Sequence, residues 1–194
     1  MSEVDCPGTS NVFFIVDASA TYGASTFDLI KMYLVNVIAQ LDVESTRINV
    51  GLISYSDVIK MPVPLGYLKS RQEIIWAVED LTYEGRRTDT AAALQYVRVS
   101  GFPANPTTVP RIAVLITNGD SVDTAQTITE AQNLKMTGVL LVTVTVGTWR
   151  NMYVLTKVAS YPYWKNMIVI DSSTLLNGII SNVSNIVCDS KRYY

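Results

Sequence analysis

Val139-Leu-Leu-Val-Thr-Val-Thr-Val146 runs for eight residues without a charge, a proline or a glycine. Such a segment is rich in β-branched side chains and too apolar to face water, so it reads as a strand in the interior of a sheet. Val12-Phe-Phe-Ile-Val16 followed by Asp17, and Ile112 to Thr117, have the same character. Strands covered on both sides need helices above and below them, and the sequence between them carries helical patterns. The expected architecture is an α/β fold of repeated β-α units: a mostly parallel central sheet with one antiparallel edge strand, covered by helices.

Phe27, Ile30, Leu34, Val37, Ile38 and Leu41 make one apolar stripe, in a helix expected to open at Ser25 with Asp28 in its first turn. Ile48 to Tyr55 reads as a second strand. Val58 to Met61 returns beside it through Ser56-Asp57, and Pro62 and Pro64 are tolerable only if that strand lies at an edge. Ser70 with Glu73 forms a capping box for a helix ending near Leu81. Further helices are expected over Thr90 to Val99, Thr124 to Met136 with Gly138 as its stop, and Asn151 to Ala159. A short strand from Met167 to Ile170 precedes a last helix carrying Leu175, Leu176, Ile179, Ile180, Val183, Ile186 and Val187.

With 194 residues, 48% of them hydrophobic, the chain has material for a single domain over residues 1–194, with its core at about 11–188. Fifteen basic side chains against seventeen acidic ones, scattered along the chain, give nucleic acid no basic stripe to bind. No apolar run approaches the roughly 20 residues that cross a bilayer, so membrane insertion is not expected. There is no histidine, which removes Ser-His-Asp triads, Cys-His pairs and zinc-hydrolase sites. Glycine-rich phosphate loops are also missing, and the chain is expected not to be an enzyme.

Cys6 and Cys188 lie just before the first strand and at the end of the last helix. Termini of a compact α/β domain often lie close together, so a bridge between them would close a loop of roughly 180 residues and contribute up to about 5 kcal/mol. The alternative is two unrelated buried thiols. A bridge implies an oxidising, extracellular compartment. Asn182-Val183-Ser184 is a glycosylation sequon compatible with that compartment, although such tripeptides are common.

Asp17-Ala-Ser19-Ala-Thr21 delivers a carboxylate and two hydroxyls to the carboxyl end of the first buried strand. A tight turn there points both hydroxyl oxygens at one small, hard cation, for which Asp17 supplies charge. Gly85-Arg86-Arg87-Thr88-Asp89-Thr90 and Thr117-Asn118-Gly119-Asp120-Ser121 are placed to converge on it. An ordinary strand-to-helix turn explains the first motif equally well when it is read alone, and Asp89 and Thr90 read best as helix caps.

Together with Arg47-Ile-Asn-Val-Gly-Leu-Ile-Ser-Tyr-Ser56 and Val114-Leu-Ile-Thr-Asn-Gly119, these motifs resemble the von Willebrand factor type A domain from Cys6 to Cys188. The flavour is that of matrilins and non-fibrillar collagens, which similarly carry terminal cysteines. The resemblance implies a doubly wound α/β sheet flanked by helices on both faces, and a metal-ion-dependent adhesion site. Ser19, Thr21 and Thr88 would offer hydroxyls to Mg2+, or to Ca2+ or Mn2+, with Asp17 and the loop of Asn118 and Asp120 around them. One coordination position would stay open for a partner's carboxylate. Two positions depart from the family pattern: Thr21 stands where Ser is usual, and Asn118 where Asp is usual. The second keeps an acceptor oxygen and loses a full charge, so the expectation is a weakened but occupied site, with an empty one as the alternative.

The function implied is a non-enzymatic, secreted adhesion module of the extracellular matrix that binds collagen or another matrix protein. The alternative is a structural unit that self-associates without an ion. Trp149, Tyr153, Tyr161, Tyr163 and Trp164 cluster late in the chain; Trp164 is expected to pack against the fold and Trp149 to be exposed.

Overall fold

The computed structural model describes residues 9–45, 47–103, 108–171 and 183–187. Cys6, Cys188 and Asn182 lie outside the described residues, as does most of the expected last helix. Its final turn at 183–187 is helical, with Val183 and Val187 buried.

The strands are β1 (Ser10–Asp17), β2 (Ile48–Tyr55), β3 (Ile59–Val63), β4 (Arg111–Ile116), β5 (Val139–Val146) and β6 (Met167–Ile170). They form one six-stranded sheet in the order β3-β2-β1-β4-β5-β6, in which only the β2–β3 pair is antiparallel. Pro62 falls inside β3, where the exposed edge leaves its missing N–H without consequence, and the β2–β3 register shifts between Leu52 and Ser54.

The continuous apolar runs divide their side chains between two cores. From β1, Val12, Phe14 and Val16 face one cluster, while Phe13 and Ile15 face the other. Helices α1 (Ala24–Ala39) and α2 (Arg71–Glu79) cover the first side. Helices α3 (Thr90–Tyr96), α4 (Thr124–Met136) and α5 (Met152–Val158) cover the second. Burial of each large apolar side chain contributes about 1.5–3 kcal/mol. Gly51 has a packing reason to be glycine, since a Cβ there would sit 2.6 Å from the Phe13 ring.

Three local expectations are corrected. The α1 cap is Gly23 at φ 73° with no side-chain bond, so the helix opens at Ala24 before Ser25. Helix α3 stops at Tyr96 and passes into a π-helical turn at Val97–Gly101. Trp164, on the short helix α6 (Tyr163–Asn166), is 59% exposed and does not pack into the fold. The Ser70 cap does form, accepting from the Glu73 N–H at 3.4 Å.

Candidate metal centre

Strand order reverses at β1, whose neighbours β2 and β4 lead away in opposite directions, and a crevice opens beyond the carboxyl ends of such strands. Parallel pairing sets Val16 beside Ile116, so the residues that follow, Asp17 and Thr117, leave the sheet at the same level. Thr117 Oγ1 donates to Asp17 Oδ2 at 3.0 Å. Ser19 N–H donates to the other carboxylate oxygen, also at 3.0 Å, closing a tight turn.

That turn brings the hydroxyls together. Ser19 Oγ lies 3.0 Å from Thr21 Oγ1 and 2.5 Å from Thr88 Oγ1, while Thr21 Oγ1 lies 3.5 Å from Asp17 Oδ2. Main-chain bonds lace the loops in register: Ala20 N–H donates to the Arg86 carbonyl at 2.9 Å, and Glu84 N–H to that of Ala18 at 2.9 Å. Thr88 is held from beyond as well, its carbonyl accepting from Val122 N–H at 2.9 Å. Of the two residues expected to cap α3, Asp89 does so by accepting from Ala92 N–H, whereas Thr90 is the first helical residue and its Oγ1 lies 3.1 Å from the Tyr55 hydroxyl instead.

The third loop is arranged differently. Asn118 is buried, with its Oδ1 accepting from Asp120 N–H at 3.0 Å and its Nδ2 donating to the Thr21 carbonyl at 3.4 Å. The amide therefore ties two loops together. Asp120 accepts at Oδ2 from the indole N–H of Trp149, at 3.2 Å, and Trp149 is otherwise 77% exposed as expected. Gly119 sits at φ 87°, and a Cβ there would meet the Asn151 carbonyl at 2.8 Å, so only glycine fits this close approach.

Above these groups is an open cavity of about 500 Å³. It is lined by residues 85–88, residues 120–122, Ala20 and Thr21. Arg86 stands exposed on the rim, 3.9 Å from Asp57.

Asp17 is fully buried, with no cation of the protein paired to it among the described ion pairs. Burial pushes its carboxyl up from 3.8 to about 6, against the lowering effect of its bonds to Ser19, Thr117 and Thr21. Burial and the nearby Asp17 charge also push the Tyr22 and Tyr55 phenols well above their usual range. The donor set suits a small hard cation: oxygens at bonds of about 2.1 Å on adjacent octahedral positions are ~3 Å apart, close to the hydroxyl spacings here. Among the described residues no group of three or more carboxylate, histidine or cysteine side chains could hold a metal, so any ion here rests chiefly on neutral oxygens.

Sequence reasoning treated Thr117 only as part of a motif and missed its bond to Asp17, as well as Tyr55 and the Trp149 contact. The register of β1 on β4 was the signal for the first; the others depend on loop geometry.

A family model for the von Willebrand factor type A domain matches residues 11–182. The chain belongs to this family. It is 29% identical over 187 residues to the collagen alpha-4(VI) chain of Mus musculus, covering 93% of this chain and 8% of that protein. It is 31% identical over 126 residues to matrilin-1 of Gallus gallus, covering 61% of this chain and 25% of that one. The type A chain described here thus spans a quarter or less of the length of these relatives. Among solved structures it resembles proximal thread matrix protein 1 from the mussel byssus with a zinc-occupied MIDAS motif. The TM-score is 0.82 at 19% identity, over 93% of this chain and 48% of that one. At that identity the likeness concerns the fold. No described helix is long and apolar enough to cross a membrane.

Proposed function

We propose that this type A domain is a non-enzymatic binding module of the extracellular matrix, whose crevice recognises a carboxylate of collagen or another matrix protein through a divalent cation. The carrying observation is the hydrogen-bonded set of Asp17, Ser19, Thr21 and Thr88, of which Thr21 and Thr88 line an open crevice while Asp17 and Ser19 are buried behind them in hydrogen-bond contact. Ser19, Thr21 and Thr88 would hold Mg2+, Mn2+ or Ca2+, and Asp17 would supply the balancing charge. The ion would contribute a Lewis-acidic position open to a partner's Glu or Asp. Loops sewn together by main-chain bonds keep the hydroxyls in place before any ligand arrives, so little ordering cost falls on binding.

The affinity is set low by residue 118. Asn118 contributes no charge and spends its amide on Asp120 and Thr21, which leaves Asp17 as the buried carboxylate of the set. Asp120 would balance charge through water from the rim. The names collagen and matrilin among the relatives support a matrix setting and secretion.

Calorimetric titration with Mg2+, Mn2+ and Ca2+, paired with collagen and matrilin binding in the presence and absence of EDTA, tests the reading. Saturable heat and chelator-sensitive capture support it. No heat at millimolar ion removes the cation from the function.

A further inference from the structure

We propose that this domain associates head to tail with further copies of itself: an aromatic knob beside β6 of one copy enters the groove between α1 and α2 of the next. The contact uses neither the crevice nor its cation.

The knob is Tyr161, Tyr163 and Trp164. Tyr161 is 82% exposed, and both tyrosine rings meet Trp164 edge-on with centroids 5.4 Å apart, so the three stand as one protruding unit. Large aromatic surface left in water in this way marks a docking site. Its electrostatic setting is one-sided. Residues 131–170 contain no Asp or Glu but carry Lys135, Arg150, Lys157 and Lys165, in a chain whose net charge is −2. Arg150 is bonded to Asp171 at 2.5 Å. The Lys135 ammonium donates to the Lys157 and Ala159 carbonyls, two residues from Tyr161, and Lys157 and Lys165 are exposed.

The groove has the complementary character. Met32 and Val35 provide its apolar lining and Asp28 and Glu79 its acidic rim, around a cavity of about 360 Å³, room for an aromatic side chain. Exposed Asp80 follows Glu79, and exposed Trp76 lies one turn before them. Lys31, the cation of the groove, donates to the Glu79 and Leu81 carbonyls at 2.6 and 3.1 Å and keeps its charge, but Asp28, Glu79 and Asp80 outnumber it three to one.

Placement decides the symmetry. Helices α1 and α2 cover one face of the sheet, and α2 contacts the β3 edge. Helix α5 covers the other face, and α6 packs against β5 and β6 at the opposite edge. Two different surfaces at opposite edges make a heterologous contact, which adds further copies in a line or a ring instead of stopping at an isologous dimer. The oppositely charged copy of this chain is therefore the occupant that both surfaces select.

Sedimentation velocity from about 10 μM to about 1 mM tests the proposal. The expected result is mass growing with concentration beyond dimer, unchanged by EDTA and suppressed as salt rises from about 50 to about 500 mM. K157E/K165E and E79K/D80K should each weaken association at least about tenfold, because each then presents two surfaces of one sign. An equimolar mixture of the two should associate again. Trp164→Ala should weaken association with charges unchanged. Circular dichroism of each variant, all altered at exposed positions, verifies the fold. A concentration-independent monomer, reversal variants that do not rescue each other, or association abolished by EDTA would overturn the proposal. Calorimetric Mg2+ binding by E79K/D80K reports separately on the crevice.

Discussion

Asp17→Asn separates what the crevice needs for binding from what the fold needs for stability. In the metal-free protein the folded carboxyl titrates at about 6, against 3.8 when unfolded, so the fold prefers the proton on. Stability from this group is fully present below about pH 4 and is lost as pH rises through 6. At pH 7 the cost of ionising it inside the protein is about 2 pH units at 1.36 kcal/mol each, or about 3 kcal/mol. Asparagine removes that cost and its oxygen still accepts from Ser19 N–H, while its NH2 group meets the Thr117 and Thr21 hydroxyls that donated to Oδ2, so these must turn to accept and part of the gain is offset. Asp17→Asn should therefore raise stability at pH 7 in EDTA by up to about 3 kcal/mol, and the gain should shrink toward zero at pH 4. Urea unfolding of both proteins at the two pH values measures this, and comparing the pair cancels every other titrating group. Mg2+ at a hundredfold excess over Kd should restore about 2.7 kcal/mol to the wild type and nothing to the variant. A variant less stable than wild type at pH 7 in EDTA, or a difference that ignores pH, would refute the reasoning.

Asn118→Asp should tighten Mg2+ binding by roughly tenfold or more in calorimetry, by adding a second buried negative charge, and should lower metal-free stability at pH 7. Thr88→Val keeps the shape and deletes one hydroxyl; cation heat should fall severalfold while the thermal midpoint moves by only a few degrees. Gly51→Ala should cost about 1–3 kcal/mol in urea unfolding, because the new methyl meets the Phe13 ring deep in the sheet. Intact mass of the non-reduced protein should be two hydrogens lighter than that of the reduced protein, through a Cys6–Cys188 bridge, and reduction should lower stability by up to about 5 kcal/mol.

Much of this was legible along the chain because it rests on local chemistry. The apolar runs of β1, β4 and β5 announce burial on two faces by composition alone, and Pro62 places β3 at an edge because proline has no N–H to give a neighbour. Asp17, Ser19 and Thr21 lie within five residues, so one turn suffices to group them, and hydrogen bonds do join all three. The α1 cap was harder, since a serine beside a helical stripe looks like a cap and only the positive φ of Gly23 moves the start. Trp164 was misjudged because periodicity says which residues are large and apolar, not whether the sheet edge leaves room to cover them.

The order of residues alone thus determined the layered α/β plan, the mostly parallel sheet and the oxygen-bearing loops, since periodicity and turn chemistry act between near neighbours. Tertiary structure alone decided that Thr117 reaches Asp17 across β1 and β4, that Asn118 ties loops while Asp120 turns to Trp149, and that Asp17 is buried deeply enough to resist ionisation. Those outcomes depend on distance and dielectric between segments up to a hundred residues apart, quantities that exist only once the sheet has formed.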